Sequence, residues 1–172
     1  MNLPILTYSQ IEALRHVSQI LNIPVKWLFA VINYESGFNP QIKNPASNSS
    51  ARGLIQFTND SAKKLGYTDS LDLVQKNPTI ESQLLGPVLK YFKQYSPFAN
   101  EKEFFLSVFV PAFRRYGLYD SFPVWVRESN PGINTPHDYI KRVWAKTGVT
   151  VGGYGIIGIG IIAALIWAMK YI

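Results

Sequence analysis

Glu35 has the strongest claim to chemistry in this sequence. Leu28, Val31, Ile32 and Glu35 fall at i, i+3, i+4 and i+7, so the carboxyl closes the apolar stripe of one helical face. It also falls in the last turn before Gly37, where the helix dipole is negative. Partial burial and the dipole both disfavour the charged form, which is what a proton donor working near neutral pH requires. The same position also suits a solvated glutamate at a fraying helix end. A second carboxylate to work with it is not evident. Asp60 is the nearest after Glu35, but Asn59-Asp60-Ser61 reads as a helix N-cap.

Other chemistries are poorly supplied. The chain has no cysteine, which excludes disulfides and thiolate nucleophiles. Its histidines, His16 and His137, have no metal-type neighbours in sequence, so neither a metal site nor a cofactor is expected. The net charge of +6 favours anionic partners: nucleic acid, lipid head groups or an acidic wall polymer. Lys and Arg are scattered, with no basic helix interleaved with aromatics and no finger spacing, so nucleic acid is not expected.

The elements that must position Glu35 read as helices. Ser9 with Glu12 looks like a capping box ahead of Ile11, Leu14, Val17 and Leu21. Pro24 suits the first position of a second helix that carries Trp27, Leu28, Val31 and Ile32 and stops at Gly37. Residues 39–53, rich in Asn, Ser and Pro, read as a loop. A short helix starts near Asp60 and ends at Gly66. Thr79 opens a longer one that Pro87 should kink, and Asn100 with Glu103 caps another that Pro111 should bend. Thr135-Pro136 opens a last helix through Tyr139 and Val143. With no alternating strand pattern, the expected class is mainly α.

Two units are expected: residues 1–146 as a helical domain and 147–172 as a C-terminal membrane anchor. From Thr147 to Met169 there is no charge, and Lys146 and Lys170 bracket the run. At ~1.5 Å per residue it would span a ~30 Å hydrocarbon core as a single transmembrane helix. A buried core helix is the alternative. Tyr154, Trp167 and Tyr171 suit the head-group region. Gly160, Ala164 and Ala168 form a small-residue row that could meet a partner helix in the membrane, or be no more than small residues tolerated in lipid.

Glu35-Ser36-Gly37-Phe38-Asn39-Pro40, followed by Ala51-Arg52-Gly53-Leu54-Ile55-Gln56-Phe57, resembles the lytic transglycosylases and the related goose-type lysozymes. These enzymes cleave the glycan strands of peptidoglycan, and their signature is a helix ending in Glu-Ser, a loop, then Gly-Leu-(Met/Ile)-Gln. Thr58 to Gly66 looks like the helix after that Gln in phage-type members, and Thr135 to Val143 like the late helix that presents a Tyr to the site. The likeness runs over about residues 10 to 145 and implies a lysozyme-like helical fold. It departs at Ser107-Val108-Phe109-Val110-Pro111-Ala112-Phe113, where many members read Ala-Tyr-Asn-Ala-Gly.

Carried over by residue, the resemblance makes Glu35 the catalytic acid/base. Gln56 would bind the sugar or its N-acetyl group, and Tyr139 would sit beside the acid. Gly53 would let the backbone approach the glycan, and Ser47 would be a loop serine near the reacting sugar. Plainer roles exist for three of them: Gln56 as a loop or cap hydrogen bonder, Tyr139 as core, Gly53 as a turn. The implied reaction is single-glutamate cleavage of the MurNAc–GlcNAc bond with a 1,6-anhydro product and no cofactor. The alternatives are a hydrolytic muramidase, and a non-catalytic glycan-binding or structural protein held at the membrane.

The N-terminus lacks a basic region and a long apolar run, so no secretory signal is expected. Lys141, Arg142 and Lys146 ahead of the apolar run place the domain on the cytoplasmic side by the positive-inside rule. The substrate, however, lies outside the membrane. A bacteriophage that carries the enzyme in the internal membrane of its virion, made in the host membrane and delivered to the wall on entry, would reconcile the two.

Overall fold

Helix caps fix most of the element boundaries. The computed structural model describes residues 4–147, and its helices follow in chain order: α1 Tyr8–Leu21, α2 Val25–Ser36, α3 Asn59–Lys64, α4 Ser70–Lys76, α5 Ile80–Gln83, α6 Leu89–Lys93, α7 Glu101–Phe109, α8 Val124–Ser129 and α9 Pro136–Lys146. Among the described residues there are isolated β-bridges, Lys43 with Arg52 and Arg52 with Phe57, and no longer strand. The expected mainly α class is what is found. The proposed anchor lies outside the described residues except for Thr147, and no described helix is long and apolar enough to cross a membrane.

Several caps sit one or two residues from where the pattern put them. Thr7, not Ser9, is the N-cap of α1: its hydroxyl accepts from Gln10 N, and Gln10 Oε1 accepts from Thr7 N in a reciprocal box. Ser9 instead donates its hydroxyl to Glu81 at 2.7 Å. Pro24 is the N-cap of α2 rather than its first residue. Thr58, not the Asn59-Asp60-Ser61 triplet, caps α3, accepting from Ser61 N at 3.2 Å, which leaves Asp60 in the first turn. Thr79, Asn100 and Thr135 cap as expected.

Both prolines break their helices, each in its own way. Pro87 has no N–H to give to the turn before it. The chain widens into a π turn over Leu84–Val88, which joins α5 to α6 as one bent rod. Pro111 ends α7 at Phe109 instead of bending it. Val110 turns extended, as a residue before proline must, and the chain restarts as a 3₁₀ turn, Pro111–Phe113. Helices α4 and α8 have no sequence stripe to announce them. In α8 only Val126 is buried, while Val124 and Trp125 face solvent.

α2 is the central helix. Six consecutive residues, Leu28 to Asn33, are buried, so it is enclosed on all sides rather than along one stripe. α1, α7 and α9 pack around it. The apolar core runs on through Leu54, Ile55 and Phe57 of the following loop to Phe92, Phe104 and Phe105. α2 ends where Gly37 takes a left-handed conformation, φ 59°, and donates its amide to Asn33 O. The end of the most buried helix is therefore where Glu35 stands.

Candidate active site

Glu35 is half-buried at the C-terminal end of α2, next in sequence to Tyr34, whose ring meets that of Tyr139. The Tyr139 hydroxyl donates to Glu35 Oε1 at 2.9 Å from α9, which is the pairing the resemblance implied. Tyr139 itself is fully buried, so it serves the core and the site together. Its ring lies parallel to Phe109, 4.3 Å between centroids and 13° between planes. Its edge meets Tyr34, 5.5 Å away and at 89°.

These surroundings set the acidity of Glu35. Burial pushes its carboxyl up to about 7, against the hydrogen bond from Tyr139 and the positive charge of Lys146, which both pull it down. The helix dipole expected to help is opposed at this end. Lys146 Nζ donates to Tyr34 O at 2.5 Å, and its positive charge offsets the negative helix terminus. A carboxyl that holds its proton close to neutral pH is a general acid first and a carboxylate base once the proton has left.

A cleft of about 260 Å³ has Gln56, Phe57, Tyr91, Tyr95, Phe109 and Pro111 among its walls; Glu35 and Tyr139 do not line it, and Phe109 links it to them. Phe109 belongs to both sites: one face stacks on Tyr139 and the ring also borders the cleft. The segment whose wording departs from the family pattern thus supplies a wall of the cleft. Tyr91 closes it from α6, with its hydroxyl donated to Ser107 O at 2.7 Å and its ring edge-on to Phe57.

Gln56 reaches the cleft from a tight turn. Arg52 and Phe57 exchange both backbone hydrogen bonds, at 3.0 and 2.7 Å, and the four residues between them form the loop. Gln56 is left-handed there, with φ 54°, and its Nε2 donates to Gly53 O at 3.1 Å. The plain turn role and the cleft position are therefore combined in one residue.

Gly53 allows a close approach by side chains of its own chain. It is buried, with φ 75°, and a Cβ would lie 2.6 Å from Gln83 Oε1 and 3.1 Å from Val74 Cγ1. The space a side chain would need at Gly53 is taken by the side chains of Gln83 and Val74, so the glycine serves close packing within the chain. Ser47 lies on an exposed turn, and no hydrogen bond joins it to Glu35, Gln56 or Tyr139.

Gln83 is the residue that the sequence reading missed. Fully buried at the end of α5, it accepts from Leu54 N at 2.9 Å and donates to Pro40 O at 2.6 Å and Asn77 O at 3.0 Å. It thereby pins both ends of the loop between Glu35 and Gln56. The available signal was its register: Gln83 falls at i+3 from Ile80 on the face shared with Leu84 and Val88, and a buried amide is kept where backbone groups need it.

Residues 12–101 match the family model described as the transglycosylase SLT domain. The match takes in Glu35, Gly53, Gln56 and Gln83, and more than half of the chain. The protein belongs to this family, whose members are lytic transglycosylases acting on peptidoglycan. No curated protein and no solved structure matches the chain.

Proposed function

We propose that this protein cuts the MurNAc–GlcNAc bond with Glu35 as its single acid and base. The observation that carries the reading is the Tyr139 hydroxyl bonded to the Glu35 carboxyl at 2.9 Å, in surroundings whose burial raises that carboxyl toward neutrality. In the first step Glu35 gives its proton to the bridging oxygen, and the C1–O bond breaks with its electron pair left on that oxygen. The N-acetyl group of the same sugar supports the electron-poor C1. In the second step the Glu35 carboxylate takes the proton of the C6 hydroxyl as O6 bonds to C1, which restores the acid and closes a 1,6-anhydro ring. Gln56 is the cleft residue assigned to the sugar or its N-acetyl group.

The product decides between this mechanism and simple hydrolysis. Mass spectrometry of peptidoglycan digested by the purified protein should give muropeptides lighter by one water than reducing-end products. Reducing ends alone would replace the reading with a muramidase, and an intact wall would leave only a glycan-binding or structural role.

We further propose that residues 147–169 anchor the domain in lipid and that the enzyme travels in the internal membrane of a bacteriophage virion. The uncharged run bracketed by Lys146 and Lys170 supports the anchor, with Gly160, Ala164 and Ala168 as a face for a second helix. The protein should be present in purified particles and leave them only with detergent. Particles without it, or release by salt alone, would sink the proposal.

A further inference from the structure

The last carbonyls of any helix lack a partner within it. At the end of α2, Ile32 O receives the Ser36 hydroxyl at 3.0 Å and Asn33 O receives the Gly37 amide at 3.1 Å. Tyr34 O is served from another helix, by Lys146 Nζ at 2.5 Å. The same ammonium stands 5.4 Å from the centre of the Tyr34 ring. The fastening also runs in the opposite direction, since buried Asn33 donates Nδ2 to Lys146 O at 3.2 Å. The last residue of α9 is thus held, through both its backbone and its side chain, by the two residues that precede Glu35.

We infer that Lys146 is a positioning residue of this enzyme: it caps the helix end that presents Glu35 and stations one positive charge beside that carboxyl. The inference rests on Glu35 being the proton donor. Lys146 works against burial, drawing the carboxyl back toward the usual carboxylate range. The other titratable groups around Glu35 are Tyr139 on α9, Tyr91 on α6 and its neighbour Tyr34, with Arg142 of α9 facing Tyr34. Burial raises all three tyrosines, so they stay neutral where Glu35 titrates. No charged side chain of α1 or α7 shifts Glu35. Lys146 is therefore the charged side chain that bears on Glu35. Its side chain is exposed, so the effect is that of a charge acting through partly solvated space.

The test compares Lys146→Gln and Lys146→Arg with the wild type in the full chain. Turnover of peptidoglycan is followed against pH, and the Glu35 carboxyl is titrated directly by NMR. In Lys146→Gln the pH at which turnover falls by half, and the carboxyl titration with it, should move up by about half a unit or more. Lys146→Arg should restore the wild-type curve, because it keeps the charge and can still donate to Tyr34 O. A lower melting temperature with both curves unmoved would reduce Lys146 to a structural fastening and overturn the inference. So would an arginine variant shifted as far as the glutamine one, a comparison that stands even if Lys146→Gln does not fold. If the wild-type protein cleaves nothing while its carboxyl titration still responds to Lys146, the failure lies with the proposed function.

Discussion

Glu35→Gln removes wall cleavage and leaves the fold at least as stable as before. The variant keeps the shape of the side chain and an oxygen that can accept from Tyr139, but it has no proton to give and no carboxylate to take one back. General acid–base groups contribute about 10²- to 10⁴-fold, and here one residue would serve both steps, so a loss of about 10³-fold or more is expected. The wild-type rate should fall as pH rises through about 7, where Glu35 loses the proton needed first. Stability supplies an independent check. The carboxyl has an ordinary value of 4.5 and is raised to about 7 in the folded protein. Its contribution is fully present below the ordinary value and is lost as pH rises toward 7. At pH 8 the ionised wild type therefore carries a burial cost of up to roughly 3 kcal/mol that Glu35→Gln lacks. Denaturant unfolding of both proteins at pH 4 and pH 8 measures this. A Glu35→Gln domain that still clears peptidoglycan ends the assignment.

Gln83→Leu should be the most damaging substitution away from the acid itself. Leucine fills much the same space but leaves Leu54 N, Pro40 O and Asn77 O without their partner. Each buried backbone group left unpaired costs about 1–3 kcal/mol, so a loss of about 3–5 kcal/mol is expected. In a domain of this size that lowers the melting temperature by about 10 °C or more. Activity should fall further than stability alone explains, since the freed loop leads to the turn that bears Gln56. Gln83→Glu keeps an oxygen for Leu54 N but gives up both donated bonds, and should fall between the two. Equal melting temperatures for Gln83→Leu and wild type would remove Gln83 from the site's support.

The acid was legible because a helix repeats. Leu28, Val31, Ile32 and Glu35 share a face by spacing alone, and the left-handed Gly37 that stops α2 is a local event. Thr79, Asn100 and Thr135 were equally readable, since a cap bonds within its own first turn. Caps missed by one or two residues, Thr7 for Ser9 and Thr58 for Asp60, failed because several hydroxyl and carboxylate residues lie in a row and only the backbone's turn decides which one accepts. α8 went unseen because it buries a single valine and so leaves no period to find.

The partners of the acid were another matter. The family wording paired Glu35 with Tyr139, but periodicity had no means of doing so: the residues are 104 positions apart and meet only because α9 packs on α2. Phe109 against Tyr139, Gln83 beneath Gly53 and Lys146 over the end of α2 are likewise contacts between distant segments. By itself the sequence determined the helices that carry an apolar stripe, the stop at Gly37, the position of Glu35 on an apolar face and the bracketed apolar run after Lys146, because each depends on neighbours a few residues apart. The tertiary structure alone decided that α2 is enclosed on every side, that Gly53 is given to packing, and that Glu35 sits among tyrosines with one lysine opposing its burial. Those are matters of which surfaces meet, and that is settled by the burial of the whole core rather than by any local stretch of the chain.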